Sequence, residues 1–350
     1  MDAWQKVGSD PTANSVYEKL NRMHAVFHDW DQRVLKKPKQ RLHKAQHGLE
    51  RVMRGPINDD SEEARKELSE LIEYLLELEE IHMMQMSRIL WLKNGDRNTG
   101  FFQAYASARR KRNFIKKLKD SDGNWMEGTT KLNPHIQSYF SNLFTSEVQY
   151  TDPSILYKVN SKVTARMNNM LLAPYTPDYV RKAVFSIGDL KAPGPDGLHA
   201  VFFKKYWHIL GEEITQEVLI AINSRQIPAE WNDTTIVLIP KVDSPEMVTQ
   251  FRPISLCNVL YKIISKMLAA RLKTILPDII STTQSAFVPG RLITDNILVA
   301  YECIHKIKNK RVGQSGLCAV KLDMHKAYDR VEWDFLTNMV LKLGFHESFV

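Results

Sequence analysis

Cysteine is scarce in this 350-residue chain, which holds only Cys257, Cys303 and Cys318. Three thiols cannot pair fully, and none stands in a C-x-x-C spacing. A disulfide framework and a cysteine zinc site are excluded, and a reducing compartment is expected. Long apolar runs are lacking as well. Crossing a bilayer takes about 20 apolar residues, whereas the run Thr234–Pro240 has only the length of a strand. The first 20 residues lack the basic-then-apolar layout of a secretory leader. The expectation is an intracellular protein with no membrane partner. Acidic surplus is absent too: 48 Lys and Arg face 40 Asp and Glu, for a net charge of +8. That balance fits a polyanionic partner such as nucleic acid. With 43% apolar and 25% charged residues, the chain is not a disordered scaffold, and its length suffices for two or more cores.

The first hundred residues read as helical. Proline occurs there only at Pro11, Pro38 and Pro56, and ten of the 22 residues from Asp59 to Glu80 are acidic. Leu68, Leu71, Leu75 and Leu78 recur at steps of three and four, a helical stripe with Asp59, Asp60 and Ser61 as candidate caps. The stripe is either a helix packed on its own neighbours or a dimer surface, and its shortness favours the first. From Arg109 to Lys119 the charge reverses, with seven basic residues in eleven and no acid. Arg109, Arg110, Lys111, Arg112, Lys116 and Lys117 are candidate nucleic-acid contacts, since clustered cations displace counterions from phosphates. The alternative is a solvated basic face.

Asp120-Ser-Asp-Gly-Asn124 predicts a tight turn into a strand at Trp125. A helix is expected over 134–144 and a connecting region over 146–176. The stretch Lys191-Ala-Pro-Gly-Pro-Asp-Gly197 must be a loop, with Asp196 a turn residue rather than a metal ligand. Thr234–Pro240 reads as a buried strand. Helices are expected over 258–276, 294–309 and 331–343, and a strand over 317–323 ending on the carboxylate of Asp323. His199, His208 and His325 have no partners at ligand spacing. The fold class is α+β, and three regions are expected: helical over 1–120, connecting over 121–176, and mixed over 177–350.

A carboxylate at a strand end can hold a hard cation, but strands often end in Asp for other reasons. The order of several motifs carries more. KAPGPDGLHAVFFKKYW (191–207) is followed by TTIVLIPK (234–241) and FRPISLCNVLYKIISKMLAARL (251–272). QSAFVPGRLITDNIL (284–298) and AVKLDMHKAYDRVEW (319–333) come next. In this order they resemble the reverse transcriptases of non-LTR, LINE-type retrotransposons, plant-like ones above all. GDRNTGFFQAYASARRKRNFIKKL (95–118) is similar to the linker ahead of that polymerase.

The resemblance implies a right-hand polymerase whose fingers and partial palm lie within 177–350. It implies RNA-templated DNA synthesis from a DNA primer with deoxynucleoside triphosphates and Mg²⁺, in the nucleus, the cytoplasm or both. By position, Asp323 matches the first catalytic aspartate, with the Met324 carbonyl a further metal ligand. Tyr328 matches the aromatic residue under the sugar, or is a core tyrosine. Lys241 and Arg252 match cations that reach the triphosphate, or are surface charges. Gln284 and Arg291 match residues along the template strand, or shape the turn at Pro289-Gly290. Asp329 is expected to pair near Arg330 or Lys326, and Asp334 to sit at a helix start.

The family's other two aspartates form an Ala-Asp-Asp hairpin. Here the one Asp-Asp pair, Asp59-Asp60, stands in a polar run before an acidic helix. One aspartate cannot hold two Mg²⁺ ions about 4 Å apart. The chain is therefore expected to be the amino-terminal part of such an enzyme, inactive by itself, with residues beyond about 310 incompletely packed. The alternative is a non-catalytic remnant that still binds nucleic acid.

Overall fold

The computed structural model describes residues 15–31, 38–56, 58–87, 99–146, 153–313, 315–324 and 327–350. In chain order, helices α1 (Val16–Trp30), α2 (Pro38–Arg54), α3 (Asp59–Ser87) and α4 (Thr99–Asn113) precede strands β1 (Lys117–Lys119) and β2 (Trp125–Glu127). Helices α5 (Thr129–Phe144), α6 (Ala165–Leu172), α7 (Pro177–Ser186), α8 (Ala200–Lys205), α9 (Trp207–Ser224) and α10 (Ala229–Asn232) follow. Then come β3 (Thr234–Pro240), β4 (Phe251–Cys257), α11 (Val259–Leu272), α12 (Leu276–Ile279), α13 (Ile293–Asn309) and α14 (Trp333–Lys342). The architecture is α+β, helix-rich with two antiparallel two-stranded sheets, β1-β2 and β3-β4. Two compact units share the chain: residues 1–128 with 184–262, and residues 129–183 with 263–350.

In the first unit, α1 buries Val16, Leu20 and Met23 at a helical spacing and packs on α9. Helix α9 answers with Leu210, Ile214, Val218 and Ala221. Lys19 Nζ lies 2.6 Å from Glu213 Oε2, and the Val16 N–H donates to Glu217 Oε1 at 2.6 Å. Helix α3 packs on α2 and α4, so the leucine stripe faces its own neighbours. Leu75 is buried, whereas Leu71 is 37% exposed and lies off the packed face. The cap of α3 is Asn58 rather than Asp59–Ser61. Asn58 Oδ1 accepts from the Ser61 N–H at 2.8 Å, and Ser61 Oγ accepts from the Asn58 N–H at 2.9 Å. That reciprocal arrangement is a capping box shifted by one residue from the expectation.

The β1-β2 hairpin forms where the turn residues require it. Asp120 Oδ1 accepts from the N–H groups of Asp122 and Asn124 at 2.9 and 2.8 Å, and Gly123 takes φ 83°. Strand β3 has its expected bounds, but it is not a buried strand: Ile236 is 45% exposed. Its partner β4 lies outside the expected strands, and it holds Pro253. In a two-stranded sheet each strand has a free edge, and proline is tolerated there.

The 191–197 loop is fastened to the start of α11. Fully buried Asn258 accepts from the Asp196 N–H at 3.4 Å and donates to the Glu230 carbonyl at 3.1 Å. Lys262 Nζ donates to the Ala192 carbonyl at 2.8 Å, and His199 Nδ1 lies 3.0 Å from the Lys191 carbonyl. A Cβ on Gly194 would meet Asn258 Oδ1 at 2.4 Å and its backbone N at 2.5 Å, so only glycine fits.

In the second unit, Val163, Leu171, Ile275, Ile279 and Phe345 form one core cluster. The stretch expected to be a plain connection thus contributes α6 and part of a core. The Lys162 and Val163 N–H groups both donate to the Leu343 carbonyl at 2.9 Å. Asn168 Nδ2 donates to the Gly344 carbonyl at 2.8 Å. Buried Arg271 donates to the carbonyls of Leu171, Ala173 and Pro174 at the end of α6, and its guanidinium lies 3.4 Å from the Tyr175 ring centroid. Helix α5 starts at Thr129, five residues before the expected Pro134, and the expected 258–276 helix is divided into α11 and α12.

The expected strand over 317–323 is absent. Residues 316–324 have no helical or strand pairing, with Val320 76% and Leu322 87% exposed. An alternating apolar pattern becomes a strand only when a neighbour supplies the ladder, and among the described residues none does.

Two outcomes follow from these contacts. Burial holds the Asp196 carboxyl above its usual range, against the opposing pull of the Leu198 N–H, Lys262 and His24. A raised folded pKa means that stability is lost as pH rises from the unfolded value through the folded one. Asp196→Asn should therefore raise the urea midpoint at pH 7 and lose that advantage near pH 3, measured by urea titration at both pH values. Arg271→Lys keeps the charge but loses the planar fork and the ring stacking. It should cost about 2–3 kcal/mol in the same assay.

Candidate nucleotide and nucleic-acid site

The β3-β4 register decides where the two cations of the first unit stand. Ile239 pairs with Arg252 and Pro240 with Phe251, and the Lys241 N–H donates to the Gln250 carbonyl at 2.8 Å. Side chains alternate across a strand, so Lys241 and Arg252 share one face as diagonal neighbours, while buried Phe251 turns to the other. Both cations are exposed. Lys241 Nζ also donates to the Thr249 carbonyl at 3.2 Å. An ammonium and a guanidinium on one face can neutralise adjacent phosphate oxygens.

The basic run is divided between two elements. Arg110, Lys111 and Arg112 close α4, where cations complement the helix dipole. Arg109 in the same helix is half-buried, and Lys116 and Lys117 are exposed at the start of the hairpin. Arg112 Nη2 lies 3.1 Å from Asp243 Oδ1, and Lys119 Nζ lies 2.6 Å from Glu246 Oε2. The Lys119 N–H also donates to the Glu246 carbonyl at 2.7 Å. The loop that follows Lys241 is thereby attached to β1, a contact the sequence did not reveal. The separation of more than 120 residues hides it.

In the second unit Asp323 is exposed in unpaired chain, and Met324 is 77% exposed. Tyr328 lies in a 3-10 turn, Ala327–Arg330, and is 80% exposed, so the core-tyrosine alternative fails. It meets Phe287 edge to face, with centroids 6.2 Å apart. Phe287, 75% exposed, takes φ 64°, an uncommon conformation for a bulky residue. No ion pair joins Asp329 to Arg330, and Lys326 and His325 lie outside the described residues. Asp334 is in the first turn of α14, as expected.

Arg291 is committed to backbone. Its Nη1 donates to the carbonyls of Ser281 and Gln284, and its Nη2 to those of Pro277 and Ile280 at 2.9 and 3.1 Å. Gln284 Nε2 donates to the Ala286 carbonyl at 3.4 Å. The geometry of both residues is that of a loop clamp.

Two Mg²⁺ ions need several carboxylates converging on them. Among the described residues, no group of three or more His, Cys, Asp or Glu side chains is arranged to hold a metal ion. Asp323 with the Met324 carbonyl is not by itself a two-metal centre. Among the described residues, no helix is long and apolar enough to cross a membrane.

Comparisons with known proteins give the kinship of the chain. Residues 239–350 match the family "Reverse transcriptase (RNA-dependent DNA polymerase)". The chain is 31% identical over 265 residues to the "Transposon TX1 uncharacterized 149 kDa protein" of Xenopus laevis, covering 75% of this chain and 20% of that protein. It is 26% identical over 223 residues to the "Probable RNA-directed DNA polymerase from transposon BS" of Drosophila melanogaster, covering 60% and 23%. A "Retrovirus-related Pol polyprotein from type-1 retrotransposable element R2" of Nasonia vitripennis is 29% identical over 141 residues, 40% of this chain and 13% of that one. The chain carries a reverse transcriptase domain of the LINE-type, non-LTR retrotransposons. It spans between 13% and 23% of the length of these relatives.

The Arg291 clamp is checked by Arg291→Ala. Removing four charge-assisted bonds at a partly exposed site should cost about 1–2 kcal/mol. Trypsin should then cut the chain faster between residues 273 and 311, read by mass spectrometry of the fragments.

Proposed function

We propose that this chain supplies the fingers and part of the palm of a retrotransposon reverse transcriptase, an RNA-templated, DNA-synthesising polymerase. The observation that carries the reading is the reverse transcriptase match over 239–350 on a chain whose β3-β4 register brings Lys241 and Arg252 to one face. In this reading Lys241 and Arg252 neutralise the triphosphate, and Tyr328 packs under the sugar. Asp323 and the Met324 carbonyl contribute to a Mg²⁺ centre that needs further carboxylates. Gln284 and Arg291 act through the loop they shape. Template RNA and the DNA primer are the partners, with Arg109, Arg110, Lys111, Arg112, Lys116 and Lys117 meeting phosphate. The regions 1–120, 121–176 and 177–350 serve as helical linker, connection and polymerase.

Asp323 is exposed and stands in no group of three or more metal-ligating side chains among the described residues, which favours a second statement. These 350 residues bind nucleic acid but do not extend a primer by themselves, since one aspartate cannot both activate the attacking hydroxyl and stabilise the leaving oxygen. Primer extension with Mg²⁺ and labelled deoxynucleotides should give no incorporation. Filter binding of RNA should give an affinity that falls at least tenfold between 50 and 200 mM salt. Incorporation abolished by Asp323→Ala would overturn the second statement, and salt-insensitive or absent binding would remove the nucleic-acid reading.

A further inference from the structure

The β1-β2 hairpin has two unlike faces. Leu118, opposite Met126, is fully buried. Alternation puts Lys117, Lys119, Trp125 and Glu127 on the other face. The Trp125 ring is 45% exposed, with Lys117 Nζ 4.2 Å and Lys119 Nζ 4.9 Å from its centroid. A second ring, Phe114, stands three residues before Lys117 and is 72% exposed. Large aromatic side chains are the strongest contributors to cores and interfaces. Two exposed rings beside a basic helix end, one of them under lysine ammonium groups that a phosphate would draw aside, suit a partner that is both anionic and aromatic.

A duplex hides the faces of its bases, whereas a single strand offers them. Stacking on an aromatic ring beside cations that follow the backbone is how unpaired nucleic acid is held. We propose that this face is a stacking platform for single-stranded nucleic acid, with a base on Trp125, phosphates on Lys117 and the end of α4, and Phe114 as a second ring. This rests on the nucleic-acid reading above and adds to it the strandedness of the ligand and the two rings. The charges around the platform fit the assignment. Asp243 engages Arg112 and Glu246 engages Lys119, so within the basic run Lys116, Lys117, Arg110 and Lys111 are the cations on which the platform relies most. Glu127, paired in register with Lys117, is the acid on the same face and tempers non-specific attraction there. The backbone bond from the Lys119 N–H to the Glu246 carbonyl fixes the hairpin against the following loop. The strand pair that carries Trp125 is thus held in place.

The test uses the full chain and a 5′-labelled 12-nucleotide RNA, single-stranded or annealed to its complement, with binding read by fluorescence anisotropy. Trp125→Leu keeps apolar bulk but removes the π-face. It should weaken single-strand binding about tenfold while leaving duplex binding and the slope of log K against log salt unchanged. Trp125→Phe, which keeps a ring, should retain most of the affinity and guards against simple misfolding. Lys117→Gln should weaken both ligands and reduce the salt slope by about 0.7–0.9. Trp125→Leu binding the single strand like wild type, or losing both ligands equally, would overturn the platform and leave the basic-patch reading standing. Wild type that binds neither RNA overturns both. So does wild type that sediments with phosphatidylserine vesicles but binds neither RNA.

Discussion

The donation of a side-chain N–H to a backbone carbonyl that no helix or strand has satisfied recurs at three irregular junctions among the described residues. Buried carbonyls cost free energy unless they are paired, and this chain has long irregular loops between short elements. Asn258 and Lys262 satisfy Glu230 and Ala192 around the 191–197 loop. Arg271 closes the end of α6, and Arg291 gathers four carbonyls of the 277–284 segment. Each donor comes from an element distant in sequence from at least part of what it holds. The loops therefore take their shape only when those elements have packed.

That arrangement sets what the candidate site can do. Within the first unit, the hairpin delivers two cations to one face without a buried charge, because β3 and β4 remain half-exposed. Arg112 and Lys119 are held on the acidic residues of the loop after Lys241, which joins the basic helix end to the segment bearing that lysine. Within the second unit, Asp323 has no comparable frame. Its segment is extended and exposed, and a carboxylate so placed is free to join a metal centre but cannot build one.

Much of the local structure was legible in the residues. The Asp120–Asn124 turn, strand β3 and helix α13 follow from turn chemistry, a proline stop and helical periodicity, all of which act within a few residues. The Asn58 cap was missed by one position because Asp59, Asp60 and Ser61 are equally good caps, and only the reciprocal bond to Ser61 chooses among them. Strand β4 was not among the expected strands; it holds Pro253, which a two-stranded sheet tolerates at a free edge. The motifs that resemble a reverse transcriptase were legible as an ordered set, and the family match over 239–350 agrees with them.

The sequence by itself determined the α+β class, the turns, the basic run and the kinship, because each rests on local preference or on the order of residues along the chain. Tertiary structure alone decided that Lys241 and Arg252 share a face, since strand register sets which side chains align. It also decided that Arg291 is committed to carbonyls and that the half-exposed Trp125 ring carries the ammonium groups of two lysines. The same holds for 317–323, whose apolar alternation could not become a strand. A strand is a relation between two segments, and its hydrogen bonds exist only where the second segment is present.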